Sequence, residues 1–439
     1  MDTASANPDK TAPAGDGEPS PGPPSDSVLV TVLRFNEGRK PRLVRMKLKR
    51  MAGDPFAFFR GADHLYADAW PDLKPPDEGP VFPICGDLHV ENFGAFRDDE
   101  GELYYDINDF DEAVVAPCSL DLVRCATSVL LAAQLWRLTP LQACGMVLVF
   151  LDRYRATVAG TDGARAVDSR APRLARGPVW EILGKSALAG QAGLLDQATE
   201  RLKDGTRRIV RDKDRHPAVK SARAAKVRAA VEAYGAGRGR AGFFEALDVT
   251  ARVAGVGSLG VARYTVLVAG GGSSETNRLF DLKACLPSAL RPCAADPWPF
   301  PDENDAARVV RAQRMLQASP TAGLDVLKVG GTHYRMREMI PEENRSSLGR
   351  FHKKPETLSA AVEEAGLLTA LSHQRGASAY PDGGGAEALG RWASGPALDS
   401  VLAAAVRFAD RMRVAHRQFR AELRAPASLP APLRKRYGL

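Results

Sequence analysis

The chain has 439 residues, 44% of them apolar and 26% charged, a balance that excludes a fibrous or wholly disordered protein. At about 150 residues per domain the length allows roughly three units, or two lobes with additions. Its net charge of +7 fits an anionic ligand such as a nucleotide, and fits loose attraction to nucleic acid or lipid equally well, so charge alone does not choose.

Residues 1–27 are rich in Pro, Gly, Ser, Ala and Asp and are expected to be disordered. No basic stretch followed by an apolar run opens the chain, so no signal peptide is expected. Residues 28–33 read as a strand, and the basic stretch 34–50 as a solvated amphipathic helix. The aromatics of Asp54-Pro55-Phe56-Ala57-Phe58-Phe59-Arg60-Gly61 should anchor the core. Arg60 among them is either a buried ion-paired residue or an anion-binding one. Residues 81–85 read as a buried strand ending at Gly86-Asp87. Residues 93–96 and 103–107 flank a turn signal and form a hairpin, and 120–136 has helical periodicity. The most apolar stretches, 126–135 and 146–151, are too short to cross a bilayer. From about 152 to 245 the chain reads as helical and basic, with the charge run 207–215 as a solvated helix face. Strands are expected at 249–254, 261–268, 279–283, 326–329 and 334–339, with a helix at 305–317. From Leu358 onward the chain reads as mostly helical. Six cysteines without a C-x-x-C pair argue against a zinc site or disulfides, and read as reduced thiols of a cytoplasmic protein.

Chemistry concentrates in Gly86-Asp87-Leu88-His89-Val90-Glu91-Asn92. An Asp on a loop above a rigid strand can take the proton of an attacking hydroxyl. An Asn turned back toward it can hold a cation beside phosphates. Tyr105-Asp106-Ile107-Asn108-Asp109-Phe110-Asp111 adds three carboxylates within six residues, which repel one another unless a cation sits there. Asp109 and Asp111 share a face if the segment is extended, and Asp106 points the same way less directly. Asn92 and Asp109 are therefore expected metal ligands, with Asp111 as a further candidate. His89 reads more simply as a hydrogen-bonding loop residue than as a base.

Gly255-Val256-Gly257-Ser258-Leu259-Gly260 has two readings. In a dinucleotide-binding fold a helix opens at the last Gly and an acid follows about 20 residues on, where Asp281 stands. Yet the residues after Gly260 are β-branched and strand-like. Strand, glycine loop, strand, then a strand ending in Asp281-Leu282-Lys283 fits a phosphate-covering loop and a phosphate-pairing Lys. Gly255, Gly257, Ser258, Gly260 and Lys283 are then the nucleotide contacts, with Arg60 as a possible addition. The acid that would orient Lys283 is unassigned, since Asp305 and Glu303 do not stand out. Residues 336–341 resemble a hinge that takes an adenine edge.

At these residues the chain resembles a bacterial family, domain of unknown function 2252. The matching segments are 54–61, 85–94, 105–113, 256–260 with Arg263-Tyr264, 281–283 and 308–317. The catalytic segments also resemble the aminoglycoside and choline phosphotransferases of the protein-kinase-like fold, in which a Gly-Asp-x-His-x-x-Asn loop precedes an Asp-Phe-Asp strand. That resemblance extends to Pro117-Cys118-Ser119-Leu120-Asp121-Leu122, where it implies that Asp121 ties its helix to the catalytic loop. Cys85 departs from it, standing where those enzymes often carry His. So does the chain order, with the catalytic loop before the glycine loop. The implied fold is α+β and two-lobed, kinase-like and circularly permuted, with helical additions.

The resemblance divides the chain into a tail (1–27), a catalytic-loop and metal segment (28–150), a basic helical segment (151–247), a β-rich nucleotide lobe (248–345) and a C-terminal helical segment (346–439). The expected activity is Mg-ATP-dependent phosphorylation of a small-molecule hydroxyl, with Asp87 as base. No membrane or specific nucleic-acid partner is indicated. A metal-dependent phosphoesterase and a catalytically silent nucleotide-binding module are the alternatives.

Overall fold

Ser27 caps a helix where a strand was expected. Its hydroxyl accepts from the Val30 amide at 3.2 Å, and α1 (Val28–Phe35) buries Leu29, Val30, Val32 and Leu33 on one side. Glu422 accepts from Ser27 Oγ and the Leu29 amide at 2.8 and 2.7 Å, so both exposed amides of the first turn find partners. Cap and helical spacing thus override the β preference of a Val-rich run. The structure is a computed structural model that describes residues 27–160, 178–295, 298, 304–341, 348–380 and 384–439. The tail expected at 1–27 lies outside them except for Ser27.

Short helices α2 (Pro41–Met51), α3 (Pro55–Phe59) and α4 (Asp63–Leu73) follow. Pro sits in the first turn of α2 and α3, where its missing N–H costs nothing. Strand β1 (Val81–Ile84) pairs antiparallel with β4 (Val114–Pro117), and β2 (Phe93–Arg97) with β3 (Leu103–Ile107). Every residue of α5 (Ser119–Ala132) is buried, between α6 (Pro140–Val158) and the long C-terminal α12 described below.

After α7 (Pro178–Ala198) a small ribbon forms from β5 (Thr199–Arg201) and β6 (Arg207–Ile209). This corrects the helix expected at 207–215. Arg207 turns inward and pairs with Asp196 at 2.7 Å, and the exposed Arg211 pairs with Asp248 at 2.8 Å, so these charges are tied across elements. Helix α8 (Ser221–Gly237) leads into a five-stranded antiparallel sheet of β7 (Ala246–Ala251), β8 (Arg263–Val268), β9 (Arg278–Ala284), β10 (Asp325–Val329) and β11 (Thr332–Glu338). The strand order is β10-β11-β9-β8-β7, and α9 (Asp305–Leu316) stands between β9 and β10 in sequence. The chain closes with α10 (Pro355–Ala379), α11 (Gly385–Ser394), α12 (Asp399–Arg424) and α13 (Ala431–Tyr437).

The fold is thus mixed α+β, with several small sheets. One face of the large sheet carries Tyr264, Val266, Phe280, Leu282, Tyr334 and Met336 and packs with Val227 and Val231 of α8 into its own core. A larger core gathers α1–α6 and α10–α13. The other face is polar around Lys283 and carries Leu267 and Leu279, packed with Leu194 and Leu195 of α7, farther along. Register places Arg263 and Arg335 on either side of Lys283, and Arg337 beside Asp281. Among the described residues no helix is long and apolar enough to cross a membrane.

Candidate active site

Strand β1 ends at a turn that only Gly86 can make. Its φ is +86°, and a Cβ there would stand 2.1 Å from the Glu112 carbonyl oxygen. The turn is held from behind by Asp121 near the start of α5, which accepts from the Cys85 and Gly86 amides at 2.9 and 2.8 Å. His373 of α10 contacts Asp121 at 3.3 Å through Nε2 and Tyr154 at 2.8 Å through Nδ1, so four elements converge on the loop. The tie expected between Asp121 and the loop is present.

Asp87 follows on the cavity side. Arg124 of α5 donates to it through Nε and Nη2 at 2.9 and 2.6 Å, and also pairs with Asp63 at the head of α4. One buried guanidinium therefore serves two carboxylates. Burial, with the Asp63 charge adding to it, pushes Asp87 up to about 7 against the pull of Arg124. Burial likewise raises Asp63 to about 6.

The β2–β3 hairpin returns the chain beside this loop. Asn92 donates from Nδ2 to the carbonyls of both Asp87 and Asp109 at 3.0 Å. Lys283 reaches Asp109 at 3.2 Å from 174 positions away, and pairs with Asp111 as well. Burial alone would raise Asp109. Lys283, with Arg335 and Arg337 beyond it, instead holds its carboxyl well below the ordinary range. Asp111 keeps its second oxygen, Oδ1, buried and without a hydrogen bond among the described residues. The cationic row on the sheet is balanced at Asp281, which accepts from Arg263 at 2.6 and 2.5 Å and from Arg335 at 3.2 Å. Asp281 is thus committed to these arginines.

These groups line one cavity of about 300 Å³. Of the expected site residues, Asp87, Asp109, Asp111, Lys283, Arg60, Gly255, Gly257 and Ser258 lie on its wall. Asn92 is buried behind it. Gly260 turns away, and a Cβ there would stand 2.8 Å from the Arg39 Cβ. Arg60 is ion-paired, to Glu91, and also borders the cavity. His89 accepts from the Glu91 amide at 3.1 Å, the loop role expected of it.

Two expectations fail. Asp106 faces away from the cavity and accepts from the Ala318 and Ile107 amides, because the hairpin ends between it and Asp109. No residue of 336–341 lines the cavity, and the Glu338 and Met339 amides are already bonded to Ala322 and Leu279. Asp305 pairs with Arg308 and leaves Lys283 to Asp109 and Asp111, while Glu303 lies outside the described residues.

Sequence reasoning missed Asp63, Arg124, Arg39 and Lys47. A lone Arg inside the apolar run around Leu120–Ala132 was the available signal for Arg124. Helical spacing was the available signal for Lys47, which is 1% exposed and shares the buried face of α2 with Val44, Leu48 and Met51.

The chain matches the family described as an uncharacterized protein conserved in bacteria, domain of unknown function 2252, over residues 39–422, and belongs to it. No curated protein and no solved structure matches it.

Proposed function

We propose that the protein is an Mg-ATP-dependent phosphotransferase acting on a hydroxyl of a small molecule, with a kinase-like arrangement in permuted order. The observation that carries this reading is the meeting of Lys283 with Asp109 at 3.2 Å, within one cavity that also holds Asp87 and the glycine loop. A glycine loop between the first two strands of a five-stranded antiparallel sheet, Lys on the third and a helix after it form the arrangement of a kinase nucleotide lobe, which supports the reading. In this reading the order is permuted, with the Asp87 loop preceding the sheet in the chain.

In this reading the acceptor oxygen bonds the terminal phosphorus of ATP, the bond from that phosphorus to the bridging oxygen breaks, and ADP leaves. Asp87 takes the hydroxyl proton, and a carboxyl near neutrality suits that task. Lys283 and the glycine loop hold phosphates. Asp109 and Asp111 would hold Mg²⁺, whose positive charge would offset the negative charge of the phosphates, while Asn92, behind the cavity wall and expected as a ligand, instead ties the Asp87 and Asp109 backbones together. The fit rests on Asp111 Oδ1, buried without a donor, beside the strongly ionised Asp109. Two carboxylates suit an ion that completes its shell with phosphate oxygens and water. His89 is engaged as an acceptor within its own loop, which weighs against the phosphoesterase reading that needs it as a ligand.

Calorimetric titration with ATP tests this. The parent should bind in the micromolar range only with Mg²⁺, and both Asp109→Asn and Lys283→Ala should weaken binding by tenfold or more, about one charged contact. Magnesium-independent binding, or none in the parent, would overturn it.

A further inference from the structure

Arg39 and Lys47 line a wall of the cavity to which the nucleotide reading gives no task. Both point at one neutral atom, the Gly257 carbonyl oxygen, at 2.8 Å from Arg39 Nη1 and 3.0 Å from Lys47 Nζ. Their charges are therefore close neighbours. Among the described residues neither has an ion-pair partner; Arg39 adds only the Leu259 carbonyl at 3.2 Å. Asp63, whose charge acts on both cations, is held by Arg124. Two cations that converge on a single carbonyl without a direct ion pair, offset only through space by Glu112 and Asp63, are costly, and Lys47 is fully buried. Burial and the Arg39 charge together lower the Lys47 ammonium to about 7.

Beside them lies an aromatic surface. Phe35 is 38% exposed at the cavity and stacks on His64 at 4.0 Å with an interplanar angle of 12°. Arg39 and Lys47 stand 5.7 and 6.0 Å from the Phe35 centroid. Both His64 ring nitrogens are buried without a hydrogen bond among the described residues. Burial first, then the two cations, push its imidazole down to about 3, so it supplies no charge here.

We infer that Arg39 and Lys47 form a subsite for an acidic group, phosphate or carboxylate, on the molecule whose hydroxyl is phosphorylated, with its apolar part on Phe35. The assignment of that anion to the acceptor rests on the phosphotransferase reading; the anion subsite itself does not. Lys47 has ammonium protons to spare for an anion, and Arg39 keeps most of its guanidinium fork. The terminal phosphate of ATP is the competing source of the same chemistry.

Titration with inorganic phosphate and with acetate, followed by calorimetry on the full chain, tests this, with Mg-ATP titrated in parallel. Phosphate or acetate should bind the parent, and Lys47→Gln and Arg39→Gln should each weaken that binding about tenfold. Arg39 is only partly buried, so its variant keeps the test open if Lys47→Gln does not fold; melting curves identify that case. Three outcomes would overturn the inference: no binding of either anion, loss of binding in Lys283→Ala but not in the Arg39 variant, or an equal loss of Mg-ATP affinity in the Arg39 and Lys47 variants. Anion binding that needs Lys47 in a parent that ignores Mg-ATP would sustain the subsite and remove the phosphotransferase reading instead.

Discussion

Arg124 is where the site's electrostatics are decided, because one cation faces two buried carboxylates. Asp63 and Asp87 titrate near 3.8 when unfolded and are raised to about 6 and about 7 in the fold. Between those values the native state binds more protons than the unfolded chain, so stability falls as pH rises from about 4 to about 7. Asp63→Asn removes one member of the pair and should flatten that slope. Urea denaturation of parent and variant at about pH 5 and about pH 7.5 measures it, and equal slopes would contradict the shared-guanidinium account. At this scale Asp87, Asn92, Asp109 and Lys283 were legible, because their chemistry fixes short local spacings. Arg39 and Asp63 were not, since only the packing of α1, α2 and α4 turns those charges inward.

At the scale of elements, the Asp87 loop is a strand end clamped by a helix. Gly86 is irreplaceable there. Gly86→Ala combines a left-handed backbone with a methyl 2.1 Å from a backbone oxygen, and should cost at least about 1–3 kcal/mol. Asp121→Ala strands two buried amides, each worth about 1–3 kcal/mol. Denaturant midpoints of both variants check these losses, and a change below about 0.5 kcal/mol in either would refute the clamp. The strands at 81–85, 93–96, 103–107 and around Lys283 were readable from alternation and turn residues. Residues 28–33 were not, because a short apolar β-branched run serves either structure and the deciding bonds come from Glu422, 393 positions from Leu29. The charge run at 207–215 misled for the same reason, its arginines being paired with Asp196 and Asp248 on other elements.

For the whole molecule, two hydrophobic cores meet at the cavity, one under the large sheet and one among the helices. Arg308 of α9 joins them, donating to the carbonyls of Ala113, Asp111 and Leu286. A ligand held from both sides should slow hydrogen exchange in β9 and in the 85–92 loop together. Mg-ATP at about 100-fold its Kd should add about 2.7 kcal/mol to unfolding. Protection confined to one side would mean that the nucleotide does not bridge the cores. The sequence hinted at this meeting only through the resemblance that prompted a permuted order. Spacing alone cannot bring positions 109 and 283 together.

The glycine loop has a kinetic consequence. Its carbonyls at Gly255, Gly257 and Leu259 are already taken by Arg50 and Lys47 of α2 and by Arg39 in the turn before it. A loop anchored in advance has little ordering left to do when a ligand arrives. Nucleotide capture should then be a single step at an ordinary rate of about 10⁵–10⁷ M⁻¹s⁻¹, without the slower second phase that a closing lid adds. Stopped-flow traces with a fluorescent ATP analogue would register that phase if it exists. Arg50→Ala, which frees Gly255 from one anchor, is where such a phase should first emerge.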